Sequence, residues 1–259
     1  MVKIRQIKPL IAANWKLNKT VKEAVDSAAR LKIILSGIKD RDIAIFPPFT
    51  ALEEVHNVIK GTNIMLGAQD VFWEEKGAFT GEVSPMMLKD VGCSYVIIGH
   101  SERREYFKET DETVNKKIRL CVADELNVIL CVGENIEQRK AEKQNDVVEE
   151  MLTKGLKNVK REDMKFITIA YEPVWAISSG DSSHKPATAK DAQEMHAFIR
   201  NTLGMMFDDS IAQSTRIIYG GSMKPDNVKE LMAKKDINGG LVGGASLEPE
   251  SFAKIVNGF

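Results

Sequence analysis

Short, almost continuously apolar runs rich in β-branched residues recur along the chain at 10–13, 43–46, 64–68, 95–98, 128–132, 166–171, 216–219 and 240–242. Runs of this length without polar alternation predict strands covered on both faces. Between them the apolar positions switch to a period near 3.6, which predicts helices over 21–36, 51–60, 85–91, 112–124, 141–156, 189–203, 225–233 and 249–256. In the first helix, Val25, Ala28, Ala29, Leu31, Lys32 and Leu35 predict one buried face. Asp191 lies three residues after Thr188, the spacing of a capping box with Asp in place of Glu.

Eight strands that each feed a helix imply parallel pairing, because every return to the same end of the sheet consumes a crossover. An open doubly wound sheet and a closed (β/α)8 barrel both satisfy that rule. The 259 residues match the barrel, which typically takes ~250. Polar residues favour it further. Asn14, Lys16, Gln69, His100, Glu172, Ser222 and the Gly243-Gly244 pair all fall at predicted strand C-terminal ends, the rim where barrels carry chemistry. With no linker or low-complexity stretch, residues 1–259 read as a single barrel domain with its active site on that rim.

Composition narrows the function classes. A formal net charge of −1 offers no long-range attraction to nucleic acid or membrane, so an anion site must come from individually placed groups. No apolar stretch approaches the ~18 residues that cross a bilayer, and the N-terminal run is too brief for a secretory signal. Cys93, Cys121 and Cys131 lack metal or redox spacing and read as reduced core thiols, which predicts a cytoplasmic protein.

The candidate chemistry begins at Glu172. It follows a strand, and Pro173 after it disfavours helical backbone, so one carboxylate is aimed from a strand tip. The run of small and polar residues that follows, until a helix starts near Thr188, reads as a mobile cover, and together the two suit a general base. His100 follows Gly99, which permits close backbone approach, and precedes a helix start whose dipole opposes imidazolium. Lys16 is a cation on the same rim, suited to an oxyanion or, alternatively, to a Schiff base. Gly220-Gly221-Ser222 and Gly243-Gly244 sit after the seventh and eighth strands, where barrels bind phosphate through backbone N–H groups. Neither a dinucleotide fingerprint nor a P-loop is present, and no metal-ligand spacing occurs, so the predicted ligand is a small phosphorylated molecule without cofactor or metal.

Asn14-Trp15-Lys16, the run from Tyr95 to Arg104, the run from Ala170 to Ala176, Tyr219-Gly-Gly-Ser222 and the run from Leu241 to Leu247 resemble the signature segments of the triosephosphate isomerase family, in order and spacing. The resemblance implies an aldose–ketose isomerase of glycolysis and gluconeogenesis that interconverts dihydroxyacetone phosphate and glyceraldehyde 3-phosphate. It implies Glu172 as base, His100 as neutral electrophile, Lys16 and Asn14 as oxyanion and positioning groups, and Glu102 as a supporting carboxylate. Backbone groups of Ser178, Ser222, Gly243 and Gly244 would hold the phosphate. A homodimer is implied through the stretch from Val71 to Glu82, which carries Phe72, Trp73 and Phe79 as exposed-looking aromatics and resembles the family's interdigitating loop. Two departures stand out. Ser178 and Ser179 replace a usual Gly-Thr pair, and the cover is about four residues longer than in the family, with the extra residues around His184, Lys185 and Pro186. The rival readings are a Schiff-base aldolase using Lys16 and a non-catalytic sugar-phosphate-binding barrel.

Overall fold

The computed structural model describes residues 7–176 and 187–259. Its elements run β1 (Leu10–Asn14), α1 (Val21–Ile34), β2 (Asp42–Phe46), α2 (Leu52–Ile59), β3 (Ile64–Ala68), α3 (Pro85–Asp90), β4 (Tyr95–Ile98), α4 (Ser101–Tyr106), α5 (Asp111–Ala123), β5 (Asn127–Val132), α6 (Ile136–Lys140) and α7 (Gln144–Gly155). They continue through β6 (Ile167–Tyr171), α8 (Ala189–Met206), α9 (Asp209–Ser214), β7 (Arg216–Tyr219), α10 (Val228–Met232), β8 (Gly239–Val242) and α11 (Pro249–Val256). The strands pair in parallel and in chain order, and β1 also pairs with β8, so the sheet closes into a (β/α)8 barrel. The open-sheet alternative is thereby excluded.

Side-chain alternation divides the core. Leu10, Ala12, Ala44, Phe46, Tyr95, Ile97, Ile129, Cys131, Ala170, Ile218 and Leu241 form one buried cluster, the barrel interior. Their neighbours one residue along, such as Ile11, Ala13, Ile45, Val96, Leu130 and Ile169, join the cluster between sheet and helices. Because strand side chains repeat every two residues, the inward rows 10-12-14, 170-172, 218-220 and 241-243 end at Asn14, Glu172, Gly220 and Gly243. The periodicity that fills the core thus delivers four residues to one rim.

Several sequence expectations shift. The buried stripe of α1 is Ala24, Ala28 and Leu31, continued by Leu35, whereas Val25 and Ala29 are half-buried and Lys32 is exposed. Lys32 donates instead to the Val58 carbonyl at 3.0 Å. Phe166 closes a 3-10 turn and does not open β6. The short helices α4, α6 and α9 have no counterpart in the apolar pattern because they bury almost nothing: Ser101 in α4, no residue of α6 and Ala212 in α9. The Thr188–Asp191 capping box forms as expected: Thr188 Oγ1 accepts from the Asp191 N–H at 3.1 Å, and Asp191 Oδ2 accepts from the Thr188 N–H at 3.0 Å. All three cysteines are free and buried.

His196 on α8 is fully buried, 3.1 Å through Nδ1 from the Asp236 carbonyl and edge-on to the Tyr171 ring. Burial drives its pKa down to about 4. Between that value and the ordinary ~6.5 the unfolded chain binds a proton that the folded chain refuses, so stability is full above pH ~6.5 and declines as pH falls toward 4. The loss attributable to this group is about 3 kcal/mol by the bottom of that window. In urea unfolding at pH 7 and pH 4.5, His196→Asn is expected to lose less stability between the two pH values than wild type. Equal losses would remove His196 from the account.

Candidate active site

Glu172 projects from the end of β6 and is 2 % exposed. Its backbone N–H donates to the Val132 carbonyl at 2.8 Å, and its carboxylate accepts the Ser101 N–H at 2.9 Å through Oε2. Oε1 lies 3.0 Å from His100 Nε2. Space for this residue is made by the glycines that directly follow both neighbouring strands. A Cβ on Gly133 would overlap the Glu172 carbonyl oxygen at 1.8 Å, and one on Gly220 would meet Glu172 Cγ at 2.7 Å.

His100 breaks the inward alternation of β4, and Gly99 is the reason. Gly99 adopts φ +74°, a left-handed turn that re-aims the next residue. The turn is pinned from both sides: its N–H donates to Glu109 at 3.0 Å and its carbonyl accepts from Arg104 Nε at 2.8 Å. His100 then serves as the N-cap of α4, its Nδ1 accepting the Glu102 N–H at 3.3 Å. Acceptance at Nδ1 assigns the proton to Nε2, the nitrogen that faces Glu172.

Lys16 sits beyond β1 with φ 53°, a strained value for a residue with a side chain. Its N–H donates to Asn14 Oδ1 at 3.1 Å and its carbonyl accepts from Gln69 at 2.9 Å, which together hold that turn. The ammonium pairs with Glu102 at 2.8 Å. Asn14 is the last residue of β1 and lies within the strand, and is almost fully buried.

One cleft gathers Asn14, Lys16, His100, Glu172, Ser222, Gly243 and Gly244. Glu102 reaches it through Lys16. Of the residues expected at the site, Ser178 lies outside the described residues, as do Ser179, His184, Lys185 and Pro186. A Cβ on Gly243 would press within 3.3 Å of Lys16 Cε, and Gly244 faces open space. Among the described residues, no group of three or more His, Cys, Asp or Glu is arranged to hold a metal ion.

Two supporting clusters escaped the sequence reading. Lys117, almost fully buried, bonds Asp70 at 2.7 Å and also Glu109, the residue that pins Gly99. Arg103 joins through Asp70 at 2.9 Å. On the other flank, Glu134 is fully buried and accepts from Trp175 Nε1 at 2.8 Å and the Tyr171 hydroxyl at 3.1 Å. Burial raises its carboxyl above the usual range despite those donors. Asp70 lies 47 residues from Lys117, and Glu134 lies 37 and 41 residues from Tyr171 and Trp175, so neither cluster leaves a local signal in the chain.

A buried base in contact with an imidazole donor, beside a fixed cation, marks a barrel enzyme that moves protons next to a developing oxyanion. Among known proteins, the family model for triosephosphate isomerase matches residues 9–259. The triosephosphate isomerase of Caldanaerobacter subterraneus subsp. tengcongensis is 53% identical over 250 residues, covering 96% of this chain and 99% of the relative. That of Endomicrobium trichonymphae is 53% identical over 249 residues, covering 96% and 98%. A crystal structure of triosephosphate isomerase from Bartonella henselae superposes with a TM-score of 0.87 at 37% identity, covering 97% of this chain and 98% of that one. The chain belongs to the triosephosphate isomerase family. It is an isomerase.

Proposed function

We propose that the Glu172–His100–Lys16 cleft interconverts dihydroxyacetone phosphate and D-glyceraldehyde 3-phosphate through an enediolate, as a step of glycolysis and gluconeogenesis. The observation that carries this reading is the Glu172 carboxylate, buried yet bonded at 3.0 Å to His100 Nε2. A substrate carbonyl entering the cleft would replace that bond, leaving the carboxylate free to take the proton from the carbon next to the carbonyl. His100 donates from Nε2 to the carbonyl oxygen, and Lys16 balances the charge that develops there. The proton on Glu172 then returns to the neighbouring carbon while the imidazole shifts the hydroxyl proton between oxygens. No atom is gained or lost. Asn14 holds the Lys16 turn, and Glu102 holds the Lys16 ammonium. Backbone N–H groups around Ser222, Gly243 and Gly244 take the phosphate, with Ser178 as a further donor. A coupled assay with glyceraldehyde 3-phosphate tests the whole reading. Absence of turnover with retained sugar-phosphate binding would favour the non-catalytic alternative.

The Schiff-base alternative is disfavoured by the ion pair: an ammonium held on Glu102 at 2.8 Å has no lone pair to attack a carbonyl. Residues 1–259 form one domain in this reading, supported by a barrel that uses all eight strands in a single closed sheet. A cytoplasmic location fits three buried, unpaired thiols. No helix among the described residues is long and apolar enough to cross a membrane.

The partner we infer is a second copy of the chain. Leu17, Phe49, Phe79, Met86, Met87 and Phe107 are exposed, Leu17 at 98 %. They lie on the connections after β1, β2, β3 and β4, which are consecutive around the barrel, so they share one side of it. The aromatic stretch from Val71 to Glu82 departs from expectation in part. Phe72 is buried and stacks on Trp73 at 4.1 Å and against Phe79 at 4.8 Å, Trp73 is half-buried, and Phe79 is exposed. The stretch is therefore braced by its own rings and presents Phe79 and Thr80 outward. Sedimentation at micromolar concentration is expected to give a dimer. A stable, fully active monomer would contradict this.

A further inference from the structure

We infer that Arg104 is a positioning residue for the isomerisation: it fixes the peptide between Gly99 and His100 and so sets the aim of the His100 ring. The inference rests on the function proposed above. Arg104 lies on α4, just past His100, and does not line the catalytic cleft. Its Nε donates to the Gly99 carbonyl at 2.8 Å, and its backbone N–H donates to the His100 carbonyl at 3.1 Å. Nη1 donates to Asp111 Oδ1 at 2.6 Å, and Nη2 lies 3.5 Å from the Cys131 carbonyl near the end of β5.

The need for such a hold follows from the glycine. A residue without Cβ rotates more freely than any other, and at φ +74° Gly99 is the joint on which His100 leaves the strand alternation. Glu109 holds the peptide that enters Gly99. Arg104 holds the one that leaves it, the peptide shared with His100. Arg104 is itself anchored, because Asp111 is the first residue of α5 and that helix buries Val114, Ile118, Cys121 and Val122. A Cβ on Gly99 would meet Val114 Cγ2 at 3.1 Å, so the same helix packs directly on the joint. A planar guanidinium can donate to a carboxylate and a carbonyl at once from separate nitrogens. A lysine ammonium is a single point of charge on a flexible stem and cannot reproduce that fork.

The aim matters because both ring nitrogens are engaged. Nε2 lies 3.0 Å from Glu172, and Nδ1 accepts the Glu102 N–H at 3.3 Å as the cap of α4. A tilt of the Gly99–His100 peptide disturbs the two contacts together. Losing the Nδ1 contact removes what selects the Nε2–H tautomer, and the donor then no longer points to where a carbonyl oxygen gains charge. A misplacement of ~1 Å in a reacting geometry can cost about 10²-fold in rate. A change confined to overall stability, by contrast, leaves the tautomer of the folded protein as it was.

The test compares wild type with Arg104→Met, which removes every side-chain donor, and with Arg104→Lys, which keeps a charge for Asp111. Each is followed by kcat, KM, melting temperature and the imidazole nitrogen-15 NMR signals of His100, assigned by their absence from His100→Gln. Wild type is expected to show one tautomer, protonated at Nε2. For Arg104→Met we expect kcat about 10- to 100-fold lower, KM within about threefold, and His100 signals averaged between the two tautomers. Arg104→Lys should regain much of any lost melting temperature while kcat stays low and the signals stay averaged, and it carries the test if the Met variant does not fold. Wild-type His100 signals in either folded variant overturn the inference, whatever happens to kcat. A Lys variant whose kcat recovers in step with its melting temperature overturns it too, since charge alone would then suffice. Wild type without isomerase activity would sink the proposed function, and the ring signals, which need no turnover, would still decide whether Arg104 holds His100.

Discussion

Glu172→Gln is expected to lower kcat by about 10²- to 10⁴-fold, the range a general base supplies. The amide keeps the shape of the side chain, and its oxygen can still accept the Ser101 N–H seen at 2.9 Å. It has no lone pair basic enough to remove a proton from carbon. Affinity for a phosphate-bearing carboxylate inhibitor should therefore change far less than turnover, because the phosphate contacts proposed above lie at the tips of β7 and β8 and not at Glu172. Exchange of substrate protons with deuterated solvent should fall in parallel with kcat. Near-normal turnover in the variant would remove Glu172 from the role of base. Loss of both turnover and inhibitor binding, with the fold intact, would make it a structural residue of the cleft.

The barrel was legible because eight continuous apolar runs leave no solvent-facing strand surface, and because each run is followed by enough chain for a crossover. The rim was legible for a related reason. Asn14, Glu172, Ser222 and the Gly243-Gly244 pair fall at the ends of predicted strands, whereas the inward rows that lead to Asn14, Glu172, Gly220 and Gly243 emerge only once the two core clusters are known. His100 stands outside those rows, and Gly99 gave the local signal for it. What the chain hid were the groups that hold these residues still. Lys117, Asp70 and Glu109 carry charges that look solvated on a helix or loop, and only folding brings them into one buried cluster behind Gly99. Glu134 looks like any loop carboxylate until Tyr171 and Trp175 close over it. The positive φ of Lys16 is hidden too, since nothing in a lysine announces a left-handed backbone; Asn14 and Gln69 impose it from outside. The start of α4 after His100 was legible, whereas α6 and α9 are set by the caps Asn135 and Asp208 with no periodic run behind them to mark a helix. Phe79 stands out in the sequence as part of the Val71–Glu82 stretch, whereas Leu17 and Phe49 read as scattered single residues and join it on one side only through the strand order.

Lys16→Met is expected to lower kcat about 10²- to 10³-fold, the effect of deleting one preorganised oxyanion donor. Methionine retains most of the aliphatic stem that runs past Gly243 and removes only the charge. The charge is the part that matters: the protein strains the backbone at φ 53° and uses Asn14, Gln69 and Glu102 to hold one ammonium on the rim. Strain of about 1–3 kcal/mol at such a position persists only where the surroundings over-determine it. Two further outcomes separate an electrostatic role from covalent catalysis. If Lys16 acts as a fixed cation, borohydride added to wild type with substrate leaves no adduct on the protein, and the substrate association rate of wild type falls with added salt more steeply than that of Lys16→Met. A reduced adduct at Lys16 would establish the Schiff-base alternative. Lys16→Arg is expected to recover little, because a guanidinium is wider than the ammonium that Glu102 and the Gly243 backbone leave room for. Wild-type turnover in Lys16→Met would show that the ammonium only anchors Glu102, and the oxyanion would then rest on His100 alone.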